Sequence, residues 1–175
     1  MTMKENIERA TNTSSPSPFV ELHHSFASSA SAISPLVDRL MKFIKFFMGS
    51  SAAANEAEDD IESAVREALS NAVVHGNHEN PEMQVHVTCR CSLDGEVLIT
   101  IRDDGEGFNG EVPDPTSPER RLLTHGRGLH IMKTLMDEVS FEERGTVVQL
   151  RKRVNSQSGK PSVFNLQSSN WKGRK

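Results

Sequence analysis

Residues 85–107 read VHVTCRCSLDGEVLITIRDDGEG. Val85, Val87, Cys89 and Cys91 alternate with His86, Thr88, Arg90 and Ser92. That period of two marks a strand with one buried face. Asp94-Gly95 follows and is a strong hairpin turn signal. Val97, Ile99 and Ile101 then alternate with Leu98, Thr100 and Arg102 in a second strand. The pair ends in Asp103-Asp104-Gly105-Glu106-Gly107, an acidic turn whose two glycines allow positive φ or close backbone approach.

Upstream, residues 55–78 read as a helix. Ile61, Val65, Ala68, Leu69 and Ala72 share one face at 3.6-residue spacing. Asn55 is the expected N-cap, with Glu58 completing a capping box. Glu56, Glu58, Asp59 and Asp60 suit the positive end of the helix dipole. A second helix is expected over 29–48, stopped by Gly49. Its second half, LMKFIKFFM, is apolar enough to suggest a membrane-surface helix. Two lysines make a thin polar face, so packing on a sheet is the preferred reading. Phe19–His23 reads as a first short strand.

Downstream, residues 103–127 are rich in Gly, Pro and charge, 128–138 reads as a helix, and 139–142 with 146–150 as a closing hairpin around Arg144-Gly145. Sequential hairpins separated by helices imply an α+β two-layer sandwich, a mixed, mostly antiparallel sheet covered on one face by about three helices.

The 175 residues suit one domain with tails. Residues 1–18 are expected to form a disordered tail, 19–152 the folded domain and 153–175 a flexible basic tail. The net charge of −4 excludes a simple basic nucleic-acid binder, yet residues 151–175 carry +7 and leave the first 150 at −11. Two cysteines cannot build a disulfide framework, so a reducing compartment is expected. No apolar run approaches the ~20 residues of a membrane span. The N-terminus lacks the apolar core of a signal peptide. A cytoplasmic protein is the expectation.

Three segments carry candidate chemistry. Glu67 and Asn71 stand four residues apart and are neighbours on the helix surface. A carboxylate beside a carboxamide suits a hard cation, or takes a proton from a hydroxyl. Asp103, at a strand end, can accept a hydrogen bond from an exocyclic amine. His125-Gly126-Arg127-Gly128-Leu129 opens a helix, where free N–H groups and the dipole favour phosphate. The segment between the last two is long enough to be a functional lid. Gly105–Val112 matches G-x-G-x-x-G-x-V literally, but Pro113, Pro115 and Pro118 leave no helix for a dinucleotide fold.

The order and spacing of EALSNAVVHGN, DDGEGF, GRGLHIMKTLMDEV and GTVVQL resemble the GHKL superfamily of ATP-binding domains, and within it the anti-sigma factor serine kinases. The resemblance covers residues 19–152 and implies the histidine kinase-like ATPase fold. It implies that Asn71 coordinates Mg2+ bridging the phosphates of ATP. Glu67 is implied as the general base toward a serine, or as an aid to the metal. Asp103 is implied as the acceptor for the adenine amine, with Thr146 beside it through a water. Gly105 and Gly107 would let the chain pass near the base, and Gly126, Arg127, Gly128 and Leu129 would lie at the phosphates. Arg120, Arg121 and Arg127 are candidates for the γ-phosphate.

The implied activity is phosphoryl transfer from Mg·ATP to a serine of an anti-sigma factor antagonist. The implied partners are that antagonist, an alternative sigma factor and a second copy in a homodimer, with no direct nucleic acid and no membrane. The alternative is an ATP-gated protein-binding module without transferase activity. Cys89 and Cys91 are expected in the core, and His75 and His78 are not expected to bind zinc.

Overall fold

A computed structural model describes residues 19–107 and 124–154, and of residues 124–126 the backbone alone. The tail expected over 1–18 lies outside the described residues, as do 155–175 of the basic tail expected from 153 and 108–123 of the expected lid; Arg153 instead ends β5, Val154 is buried and Thr124 already opens a helix. The elements are β1 (Phe19–Ala27), α1 (Ala30–Met48), α2 (Ala52–Ser70), a π-helical turn (Asn71–Gly76), β2 (Gln84–Ser92), β3 (Glu96–Asp103), α3 (Thr124–Leu135), β4 (Glu138–Glu142), a short 3-10 turn (Glu143–Gly145) and β5 (Val147–Arg153).

The five strands form one sheet in the order β1-β2-β3-β5-β4. Every pairing is antiparallel, so the sheet is not mixed. The reason is the closing hairpin. The α3 crossover joins β3 to β4, which run the same way, but β5 folds back between them and is antiparallel to both. In the β2–β3 hairpin, Cys89 faces Ile99 and Val87 faces Ile101. These alternate residues point to the helices together with Val85 and Leu150. α1 contributes Leu36, Val37, Leu40 and Ile44, and α2 contributes Ile61, Val65 and Leu69. Burial of such side chains, each contributing ~1.5–3 kcal/mol, holds the two layers together.

The apolar second half of α1 therefore packs inward through Leu40 and Ile44, while Phe46 stays 78% exposed. Among the described residues, no helix is long and apolar enough to cross a membrane.

α2 begins earlier than its acidic run suggested. Its N-cap is Ser51, whose hydroxyl accepts from the Ala54 N–H at 3.1 Å, and Asn55 lies inside the helix. Ala54 and Ala57 pack against Val154 and Met48, and this small cluster draws the extra turn into helix. α3 likewise starts at Thr124 and ends at Leu135, before the expected Glu138, which opens β4.

Candidate functional site

The first half of the site is built where α2 changes pitch. The Asn71 N–H is shared between the carbonyls of Glu67 and Ala68. The Asn77 N–H then reaches back five residues to the Ala72 carbonyl at 2.9 Å. Such π turns are rare and concentrate at functional sites. Glu67 and Asn71 are both half-buried on the side facing α3. Gly128 in α3 closes on them. A Cβ added there would stand 2.6 Å from Glu67 Oε2 and 3.6 Å from Asn71 Nδ2. Only glycine leaves the carboxylate that room.

The second half is built at the end of β3. Asp103 is buried, and its N–H donates to the Thr146 carbonyl at 3.0 Å. Its Oδ1 accepts from the Gly105 N–H at 2.9 Å. Burial pushes the Asp103 carboxyl above the usual carboxylate range, the Gly105 bond opposes that rise, and the adjacent Asp104 charge adds to it. Gly107, at φ 73°, passes the backbone of the 143–145 turn; a Cβ on it would lie 2.7 Å from the Arg144 carbonyl and 3.2 Å from Thr146 Cγ2.

Asp103, Gly105, Thr146 and the 143–145 turn border an open cleft of about 350 Å3, together with Arg102, Asp104 and Glu106. One wall is strained. Glu143 and Arg144 both take positive φ, 48° and 58°, which side chains with a Cβ rarely adopt. The Arg102 guanidinium holds that wall with two contacts to the Glu143 carboxylate, at 3.2 and 2.8 Å. The Thr146 hydroxyl donates to the Glu143 carbonyl at 3.0 Å.

Gly76 joins the two halves. It lies in the π turn with Asn71, and a Cβ there would collide with the Asp103 carboxyl, 2.6 Å from each oxygen. Gly105 is packed as tightly on the Gly76 carbonyl. The structure thus brings Glu67, Asn71 and Gly128 together, and Asp103, Gly105, Gly107 and Thr146 together, with Gly76 between the groups. Arg127 is exposed in the first turns of α3, Leu129 leans on the core, and Gly126 lies within the helix. Arg120 and Arg121 lie outside the described residues.

Sequence reasoning gave no role to Gly76 or Asn77. Asn77 is completely buried, although it sits at the polar end of the helix expected over 55–78; α2 stops at Ser70 and the π turn at Gly76, so Asn77 lies just beyond both. Its amide bonds to both β2 and the residue after Asp103.

Among the described residues, no group of three or more His, Cys, Asp or Glu side chains converges to hold a metal by itself. Glu67 presents a carboxylate oxygen beside the space kept open by Gly128, and the Asn71 carboxamide lies at the same space and carries a second hard oxygen donor. That donor set fits Mg2+, which is commonly held by one or two protein oxygens plus phosphate and water. Cys89 and Cys91 are free and buried. The neighbouring Cys91 thiol and burial push the Cys89 thiol far up, so both are core residues.

Comparison with known proteins matches residues 32–152 to the histidine kinase-like ATPase domain. The chain is 40% identical over 101 residues to an anti-sigma F factor of Heyndrickxia coagulans, covering 53% of this chain and 67% of that protein. It is 38% identical over 104 residues to the anti-sigma F factor of Bacillus subtilis (strain 168), covering 55% and 69%. Its fold is similar to part of the crystal structure of the RsbU and RsbW domains of Rv1364c from Mycobacterium tuberculosis. The TM-score is 0.54 at 20% identity, over 77% of this chain and 32% of that one.

Proposed function

This chain belongs to the histidine kinase-like ATPase family, and we propose that it is an anti-sigma factor that binds Mg·ATP, phosphorylates a serine of an antagonist protein and sequesters an alternative sigma factor. The observation that carries the reading is the meeting of Glu67 and Asn71 with the glycine of α3. The names of the similar anti-sigma F factors support the class of partner. The protein acts in the cytoplasm as a homodimer, with residues 19–152 as its ATP-binding domain.

Asp103 accepts a hydrogen bond from the adenine amine at the floor of the cleft, with Thr146 alongside. Gly105 and Gly107 let the backbone approach the base. The first turns of α3, from Gly126 to Leu129, face the phosphates, where the helix dipole favours negative charge and Arg127 adds a cation. Asn71 supplies oxygen to Mg2+, with Glu67 near enough to assist. When bound, the ion offsets charge on the phosphates. Glu67 takes the proton of the serine hydroxyl. The serine oxygen bonds to the γ-phosphorus as the bond to the β–γ bridging oxygen breaks, and ADP leaves. Most of the protein's contribution to such a transfer is positioning and charge stabilisation.

The test is intact-mass analysis of purified proteins of the antagonist fold after incubation with this protein and Mg·ATP. Wild type adds one phosphoryl group to a serine, and Glu67→Gln does not. A complex whose lifetime depends on nucleotide, without any mass gain, replaces the kinase with an ATP-gated binding module.

A further inference from the structure

The Asp103 side chain is short, so its direction is set by the backbone that carries it. That backbone leaves β3 at Asp103 and bends over Asp104 and Gly105. Asn77 holds the turn. Its Oδ1 accepts from the Asp104 N–H at 2.9 Å, and its Nδ2 donates to the Gln84 carbonyl at 2.9 Å. The Gln84 N–H in turn donates to Asp104 Oδ2 at 2.8 Å. Three residues from the π-turn end, the start of β2 and the end of β3 thereby close into one hydrogen-bonded ring. The Asn77 N–H also completes the π turn that lays Gly76 against the Asp103 carboxyl.

Asn77 is 0% exposed. Only a side chain with an acceptor and a donor at this length satisfies both backbone groups at once. Removing it leaves the Asp104 N–H and the Gln84 carbonyl without their side-chain partner at a half-buried joint, so the backbone of 103–105 is no longer tied to the start of β2. We propose that Asn77 is a positioning residue for base recognition, aiming the Asp103 carboxyl through the backbone of 103–105. This rests on the nucleotide reading of the cleft.

ATP and ITP test it, because they differ at the 6-position that Asp103 is held to read. Mg2+ complexes of both are titrated against wild type, Asn77→Ala and Asn77→Leu, with thermal melting run in parallel. The leucine variant keeps the volume and removes both bonds, so it covers the case in which alanine fails to fold.

Wild type prefers ATP, and the preference falls about tenfold in the variants, the scale of one lost hydrogen bond to a charged group. A merely structural Asn77 lowers the melting temperature and weakens both nucleotides equally. An unchanged ratio therefore overturns the inference and leaves the nucleotide site standing. A wild type that binds both nucleotides without preference also overturns it. A wild type that binds neither rejects the nucleotide site itself, and the inference with it.

Discussion

Gly128 sits against Glu67 so closely that a methyl group on its Cα would stand 2.6 Å from Oε2. A glycine at the fifth position of a helix is otherwise a cost, roughly 1 kcal/mol relative to alanine in a helix interior. Here it keeps space between α3 and the residues we assign to metal and proton handling.

Gly128→Ala separates these effects. The neighbour it meets is the end of a flexible side chain, so the fold accommodates it. The melting temperature stays within a few degrees of wild type, because the helical gain of about 1 kcal/mol offsets the crowding. Phosphoryl transfer falls at least about tenfold, since displacing a reacting group by even 1 Å carries a large kinetic cost. Single-turnover rates beside a melting curve check both parts.

Asp103→Asn tests the buried carboxyl. Its folded value is raised above the ordinary 3.8, chiefly by burial. Below 3.8 both the folded and unfolded states hold the proton. Above the folded value neither does. In between the native state binds more protons, so wild-type stability falls as pH rises through that window and then levels off. The asparagine variant does not pay this cost. Its denaturant midpoint exceeds that of wild type at pH 7, and the gap closes as pH is lowered through the window to 3.8. ATP binding by the variant weakens at pH 7, because an amide accepts less strongly than a carboxylate.

The cysteines give a chemical test of packing. Cys89 and Cys91 are 0% and 1% exposed, and the Cys89 thiol is held protonated by its neighbour and by burial. Thiolate is the reactive form. Alkylation under native conditions, read by intact mass, adds nothing within an hour. The same reagent in denaturant adds two groups. Native labelling at either position means that the helices do not cover β2 as described.

Ser51 and Asn55 compete for one role, and their alanine variants decide it. The Ser51 hydroxyl caps the Ala54 N–H. Ser51→Ala lowers stability by about 1 kcal/mol. Asn55 is exposed inside the helix, so Asn55→Ala is neutral or stabilising by up to ~0.7 kcal/mol through helix propensity. Urea midpoints read both.

The local reading succeeded where one period ran uninterrupted. Residues 85–91 and 97–101 alternate between buried and more open positions, and a one-residue slip would move the buried ones to the open face. It failed at the start of α2 because Ser51-Ala-Ala-Ala carries no polarity contrast, whereas Asn55 begins an acidic run that imitates a cap. Contact between Ala54, Ala57 and Val154 decides that end, and Val154 is about a hundred residues away. Asn77 was passed over for a related reason. It falls at the end of the stretch that reads as a helix over 55–78, among His75, Gly76 and His78, where no period assigns it a face, and only the approach of β2 and β3 buries it.

Local spacing along the chain is enough to read the identity and order of the strands and helices, the hairpin turns, and the residues that carry charge and glycine freedom at segment ends. Those are properties of neighbours within a turn or two, where spacing translates directly into a shared face. The tertiary structure alone decided that β5 lies between β3 and β4, that Gly128 meets Glu67, and that Gly76 meets Asp103. Each of these pairs residues far apart in the chain. Their meeting follows from how the whole apolar surface is buried at once, and no local period records that.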